Sequence, residues 1–173
     1  MSAVVARRRA EQLLAELNVD GTPVDVVQIA QRLGVKVVEL DLGENSGLLL
    51  RKDGKSTICV RHDDAHVRKR FTIAHEIGHF YLKHQDSGGG DVIVDRGFYI
   101  SRRGVKASEG VDLIEIEANQ FAATLLMPKR LISRAVAAYG SAPLLHSDVE
   151  DLASTFEVSE QAMTIRLSAL GYL

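Results

Sequence analysis

The stretch that decides the architecture is Arg-Phe-Thr-Ile-Ala-His-Glu-Ile-Gly-His, at residues 70–79. Apolar residues recur around it at three- and four-residue spacing over about 65–83, which predicts an amphipathic helix. Residues four apart lie on one face of a helix, one turn from each other. His75 and His79 can therefore offer two imidazoles to the same metal ion. Glu76 leans toward the same rim and need not bind the metal itself.

This H-E-x-x-H arrangement is typical of zinc hydrolases. Two neutral histidines and a carboxylate on a largely buried helix need polar partners, because burying unpaired polar groups costs free energy. A Zn²⁺ ion supplies such a partner. The competing interpretation is a pair of half-exposed histidines on an amphipathic surface. The burial of the helix favours Zn²⁺ as the cofactor, with His75 and His79 as ligands.

A catalytic zinc site usually has three protein ligands and one open position, so a third side chain is needed. The candidates lie in a second predicted helix over about 111–126. Glu115 and Glu117 flank its apolar face on opposite sides, at nearly equal angles on a wheel of about 100° per residue. The helical period therefore leaves both carboxylates open as the third ligand.

Working outward, the pattern predicts an α+β fold that is mainly helical. A small antiparallel three-stranded sheet packs on the helix that carries His75. Asp53-Gly54 marks a hairpin turn between two of its strands, because Asp-Gly tolerates positive φ. The predicted strands cover about 35–40, 47–51 and 56–61, and further helices cover about 2–17, 23–33, 128–138, 147–156 and 159–169. Residues 85–110 are long and irregular beside the candidate site, which favours a functional role for them.

These elements predict three parts of the chain. Residues 1–22 form an N-terminal helix, and 23–140 form the zinc-containing core. Residues 141–173 form a helical tail that resembles a helix-turn-helix and packs on the core. The tail carries few cations, so direct DNA binding is disfavoured against simple packing.

Composition limits the class of protein. The 173 residues are 46% hydrophobic and 25% charged, with a formal net charge of −2, as expected for a globular protein. Cys59 is the one cysteine, so no intrachain disulfide can form and a reducing compartment is expected. No apolar run approaches the roughly 18 residues of a spanning helix, and no secretory signal is recognisable. We therefore expect a cytoplasmic protein with no membrane partner.

The chain resembles the ImmA/IrrE-type zinc metallopeptidases over about residues 23–173. Two long motifs carry this resemblance, 70–79 and Glu-Ala-Asn-Gln-Phe-Ala-Ala at 117–123, the second followed by Leu-Leu-Met-Pro at 125–128. Shorter matches lie at 23–34 and 158–171. One departure is visible, because many relatives have Asn where this chain has Arg61-His62. Members are often fused to an N-terminal helix-turn-helix domain, for which 22 residues are too few, so we expect any DNA-binding partner to be a separate chain.

The resemblance implies an endopeptidase with Glu76 as general base and Glu117, the Glu directly before Ala-Asn, as third zinc ligand; Glu115 becomes the second choice. It further implies a protein substrate, namely a repressor or other helix-turn-helix transcriptional regulator in a stress or mobile-element response. The alternatives are a non-catalytic zinc protein that acts by partner binding, or a DNA-binding regulator. Candidates for a second oxyanion donor are His62, Tyr81, His84 and Tyr99. If the strand at 56–61 is an edge, it could hold an extended substrate by strand addition.

Overall fold

A computed structural model of the chain describes residues 2–84, 92–93, 109–140 and 143–173. Within these ranges it has seven α-helices, a short 3₁₀ turn at Ala137–Tyr139 and four strands. The α+β, mainly helical fold class is therefore confirmed. In chain order the elements are α1 (Ala3–Glu16), α2 (Val26–Arg32), β1 (Val35–Leu40), β2 (Gly47–Lys52), β3 (Lys55–Arg61), α3 (His66–Tyr81), β4 (Val92–Ile93), α4 (Glu109–Leu126), α5 (Lys129–Val136), α6 (His146–Phe156) and α7 (Glu160–Leu170).

Local signals set the limits of the first elements. Asp25 caps α2 by accepting a hydrogen bond from the backbone N–H of Gln28 at 2.9 Å, which satisfies one of the free donors at a helix start. The hairpin between β2 and β3 turns at Asp53 and Gly54, whose φ angles are 50° and 73°. Two successive positive φ angles are the mark of the turn that Asp-Gly favours, so the predicted hairpin is confirmed.

The sheet is mixed, and the expectation of a wholly antiparallel sheet is wrong. Its order is β1-β3-β2-β4. The hairpin makes β2 and β3 antiparallel, but β1 pairs with β3 in parallel, with Val35 opposite Ser56. The reason is that β3 lies between β1 and β2. Because β2 is antiparallel to β3, a β1 strand that runs in the opposite direction to β2 is parallel to β3.

The central position of β3 also excludes it as an edge for substrate. Both of its sides are paired, with β1 and with β2, so no backbone groups are left there for strand addition. The outer side of β2 pairs with β4 at Leu49 and Leu50.

Two glycines let α3 approach its neighbours. A Cβ at Gly47 of β2 would overlap Cγ2 of Thr72 and would lie 3.3 Å from Oε1 of Glu76. On the opposite side, a Cβ at Gly78 would lie 3.3 Å from the Cα and carbonyl oxygen of Ala118 in α4. Because both positions lack a side chain, β2 and α4 lie almost directly against the helix that carries the predicted site.

The two ends of the chain also pack against this centre. α1 packs on α4 through a buried face made of Ala6, Ala10, Leu13 and Leu14. The tail is held by Arg70, whose guanidinium donates to the carbonyl oxygens of Val24 at 2.9 Å and Glu157 at 3.2 Å. Tail residues such as Phe156, Met163 and Leu167 belong to the same hydrophobic core as α3 and α4. None of the helices in the described ranges is long and apolar enough to cross a membrane.

Candidate metal centre

His75 and His79 lie one turn apart on α3, and both are only 3% exposed. Their rings meet edge to face with centroids 4.6 Å apart. The two Nε2 atoms are 2.9 Å from each other. The predicted convergence of two imidazoles on one point is therefore present in the fold.

Glu115 of α4 completes this group. Its carboxylate oxygens lie 3.1 Å from Nε2 of His75 and 3.4 Å from Nε2 of His79. One ligand atom from each of the three residues lies within 4.8 Å of the other two, which is the spacing expected of groups that share a metal ion. The side chain of Glu115 is 35% exposed, so the group is open to solvent on this side.

Glu117, the third ligand implied by the resemblance, lies elsewhere. Its side chain is 4% exposed, and Oε2 lies 3.1 Å from Nε2 of His84. Ala118 faces Gly78, and this contact sets the rotation of α4 about its axis so that Glu115 points to both Nε2 atoms. The geometry thus favours the second choice made from the sequence, and it gives Glu117 a different neighbour.

Hydrogen bonds on the far side of each imidazole orient the two Nε2 atoms. Nδ1 of His75 lies 3.0 Å from Oδ1 of Asn119, and Nδ1 of His79 lies 3.1 Å from Nδ1 of His84. An amide oxygen only accepts, so His75 donates from Nδ1 and keeps a lone pair on Nε2. This tautomer is the one that binds a metal through Nε2.

The donor set fits zinc. Two imidazole nitrogens and one carboxylate oxygen are the ligands of several catalytic zinc sites, which leave one position open. The two Nε2 atoms lie 2.9 Å apart, and oxygens of the Glu115 carboxylate lie 3.1 and 3.4 Å from them, so the group is a site of converging acceptors. A cation is the natural partner for such a group, since acceptors alone repel one another.

The charges in the group agree with this interpretation. Burial by itself would raise the pKa of Glu115, but the adjacent imidazoles of His75 and His79 outweigh burial and hold that pKa well below its ordinary value. Burial lowers the pKa of His84, and His79 lowers it further, against the opposing effect of Glu117. At neutral pH the Glu115 carboxylate is therefore ionised and His84 is neutral.

Glu76, the predicted general base, is fully buried. Its Oε1 atom lies against Gly47 of β2. Burial raises the pKa of the Cys59 thiol on β3, and the negative charge of Glu76 raises it further. Among the described residues, Glu76 is outside the group of three possible ligands.

Three of the four predicted candidates for a second oxyanion donor are described by the structure, and these three lie apart from the ligand group or behind it. His62 is exposed, and its Nδ1 lies 3.4 Å from the carbonyl oxygen of Leu40. Tyr81 donates its hydroxyl hydrogen to Glu16 of α1 at 3.1 Å. His84 lies behind His79, and Tyr99 is outside the described residues.

Sequence reasoning missed the roles of Asn119 and of the two glycines. Asn119 had a usable signal, because it stands four residues after Glu115 and therefore on the same face of α4. A pair of polar residues at that spacing on an otherwise apolar helix indicates a shared site. Gly47 and Gly78 had none, since their importance comes from contacts with elements distant in the chain.

Comparisons with known proteins agree with the geometry. A solved structure of a Mycobacterium tuberculosis transcriptional regulator has a similar fold, with a TM-score of 0.61 and 22% identity. The match covers 94% of this chain and 46% of that one, so the chain spans less than half of the neighbour's length. No curated protein matches the chain. A family model described as the IrrE N-terminal-like domain of peptidases matches residues 30–168, and the chain therefore belongs to this family of peptidase domains.

Proposed function

We propose that the chain is a zinc-dependent endopeptidase whose metal is held by His75, His79 and Glu115. The convergence of these three side chains carries the proposal. Two of them come from one turn of α3 and the third from α4, and all three ligand atoms lie within 4.8 Å of one another. Membership of a family of peptidase domains supports the same chemistry.

When bound, zinc supplies a Lewis acid that acidifies water and polarises a peptide carbonyl. Glu76 then acts as the general base: a carboxylate oxygen takes a proton from the attacking water and later returns a proton to the leaving amine. Its position one residue after His75, outside the ligand group, suits this role. The missing side chain at Gly47 leaves room for this carboxylate, because a Cβ there would lie 3.3 Å from Oε1.

For the substrate we propose a transcriptional regulator in the cytoplasm, on the strength of the resemblance to ImmA/IrrE-type peptidases. The Mycobacterium tuberculosis protein with a similar fold is itself a transcriptional regulator. The partly exposed Glu115 marks the side from which a polypeptide would reach the ligand group.

We do not expect the tail to bind DNA directly. Arg166 is the one cation of α6 and α7; it is 8% exposed and donates to the carbonyl oxygen of Met127. The exposed charges of these two helices include Glu150, Asp151 and Glu160, which repel phosphates. Nucleic-acid binding generally requires a cationic surface.

The test is a timed digest of a candidate helix-turn-helix transcriptional regulator from the same organism, at matched zinc content. Glu76→Gln keeps the shape of the side chain and removes the base, so it should retain zinc and cut at least about a hundredfold more slowly. Glu150→Gln makes the same chemical change at an exposed position and should cut at the wild-type rate. Equal cleavage by wild type and Glu76→Gln would exclude the mechanism. Zinc-loaded wild type that binds the regulator without cutting it would favour a non-catalytic role.

A further inference from the structure

Two buried polar side chains next to the proposed ligand group take no part in the proposed chemistry, His84 and Glu117. They are 9% and 3% exposed. Both lie on the side of His79 that faces away from Glu115. Buried polar groups are retained only where hydrogen bonds satisfy them, so their arrangement requires an explanation.

The end of α3 brings His84 beneath His79. Lys83 adopts a left-handed conformation with φ of 55°, and the backbone N–H groups of Lys83 and His84 bond to the carbonyl oxygens of Phe80 and His79. This is the Schellman motif, in which the second residue after the helix cap contacts the residue five positions before it. That contact is usually apolar. Here both residues are histidines, and their Nδ1 atoms are 3.1 Å apart.

The direction of each hydrogen bond follows from the acceptor at the end of the chain. The carboxylate of Glu117 accepts, so Nε2 of His84 carries the hydrogen across the 3.1 Å contact. A neutral His84 then presents a lone pair on Nδ1, which accepts from Nδ1–H of His79. The hydrogen of His79 is thereby fixed on Nδ1, and its Nε2 keeps the lone pair that faces His75 and Glu115.

We propose that Glu117 and His84 are positioning residues that hold His79 in its metal-binding tautomer and orientation. This inference rests on the proposed zinc site. It also gives Glu117 a role in metal binding that does not require it to be a ligand. His75 and His79 are supported differently, because Asn119 offers His75 a neutral amide oxygen, whereas His79 is connected to a carboxylate through a second imidazole.

The expected effect on metal binding is moderate. Loss of an outer hydrogen-bond partner of a ligating histidine typically costs about 10–100-fold in metal affinity. Glu117→Ala and His84→Ala should each weaken zinc binding by that factor, measured by competition with a chromophoric chelator, and still bind one zinc per chain. Because both residues act along one chain of hydrogen bonds, the double variant should be little weaker than either single variant.

Glu117→Gln decides between positioning and ligation. Its amide oxygen can still accept from His84, so we expect most of the zinc affinity to return, and the visible spectrum of the cobalt-substituted protein should match wild type. A directly ligating Glu117 would instead lose affinity in both Glu117 variants and change the cobalt spectrum, which would overturn the inference. Unchanged zinc affinity in folded Glu117→Ala and His84→Ala would also overturn it.

A zinc-independent measurement separates this inference from the proposed function. In metal-free protein, two-dimensional ¹H–¹⁵N NMR of the imidazoles should show the hydrogen of His84 on Nε2, and Glu117→Ala should remove this preference. The opposite tautomer in wild type would refute the hydrogen-bond chain whatever metal binds. A wild-type protein with the expected tautomer that fails to bind zinc would refute the proposed function, and the positioning role with it.

Discussion

Among the residues that the structure describes, two groups of three His and Glu side chains have ligand atoms that all lie within 4.8 Å of one another. One is the buried group of His75, His79 and Glu115. The other is an exposed group at α6 and α7, made of His146, Glu150 and Glu160. In each group two members stand four residues apart on one helix. By spacing alone, the two groups are equally good candidates for a metal site.

They differ in burial and in support. The side chains of His146 and Glu150 are 80% and 51% exposed, and Nε2 of His146 lies 3.3 Å from Oε1 of Glu150. His75 and His79 are buried, and hydrogen bonds hold the second nitrogen of each ring. Exposed side chains must lose rotamer freedom before they can share an ion. The comparison teaches that spacing identifies possible ligands, whereas burial and second contacts decide which of them are ready to bind.

The largest expected effect is the loss of the metal from the buried group. His79→Ala leaves two of the three proposed ligands, so tight zinc binding should be abolished. Elemental analysis after gel filtration measures the zinc that remains bound. Wild-type zinc content in His79→Ala would place the metal elsewhere and would remove the distinction between the two groups.

The next effect separates the two carboxylates of α4. Glu115→Ala should reduce zinc affinity by more than the roughly 10–100-fold expected of Glu117→Ala, because the first removes a ligand and the second an outer contact. Chelator competition on both variants gives the order directly. If Glu117→Ala proved the more damaging change, the ligand role would pass to Glu117, as the sequence resemblance implies.

A smaller effect tests how tightly the buried group is packed. Gly47→Ala places a Cβ onto Cγ2 of Thr72, and overpacking of this kind costs about 1–3 kcal/mol of unfolding free energy. Urea unfolding followed by circular dichroism measures the loss. Thr72→Ser removes the methyl group in question, so Gly47→Ala combined with Thr72→Ser should recover part of it. No recovery would mean that the crowding lies elsewhere.

The smallest effect concerns the exposed group. His146→Ala should leave zinc content unchanged and alter the free energy of unfolding by less than about 0.5 kcal/mol, as is usual for surface substitutions. Elemental analysis and the same urea titration are sufficient. A fall in zinc content comparable with that of His79→Ala would show that exposure does not prevent this group from binding metal.

Local patterns were sufficient for much of the fold. Helical periodicity predicts the metal-binding helix over about 65–83, and α3 is found at His66–Tyr81. Turn chemistry predicts the hairpin at Asp53-Gly54. The direction of β1 could not be predicted, because it depends on which strand lies beside it. The strand that lies beside β1 is determined by packing between distant parts of the chain, and local sequence patterns do not report such packing.

The candidate site was likewise predictable only in part from the sequence. Two histidines four residues apart converge wherever a helix forms, so the sequence alone locates His75 and His79. The choice between Glu115 and Glu117 requires the rotation of α4 against α3, and a contact between Gly78 and Ala118 sets it. The role of His84 depends on the left-handed conformation of Lys83. A glycine is the usual sequence signal for that conformation at the end of a helix, and this chain has a lysine there.

The buried guanidinium of Arg70 connects the tail to the helix that carries His75 and His79. Its partners are carbonyl oxygens of Val24, before α2, and of Phe156 and Glu157, at the end of α6, together with the Glu157 carboxylate at 3.3 Å. Proteolytic removal of the tail would leave a buried cation without most of its acceptors, five residues before His75. Such an uncompensated buried charge costs about 3–5 kcal/mol. Proteolytic loss of the tail would therefore destabilise the helix that presents both histidines.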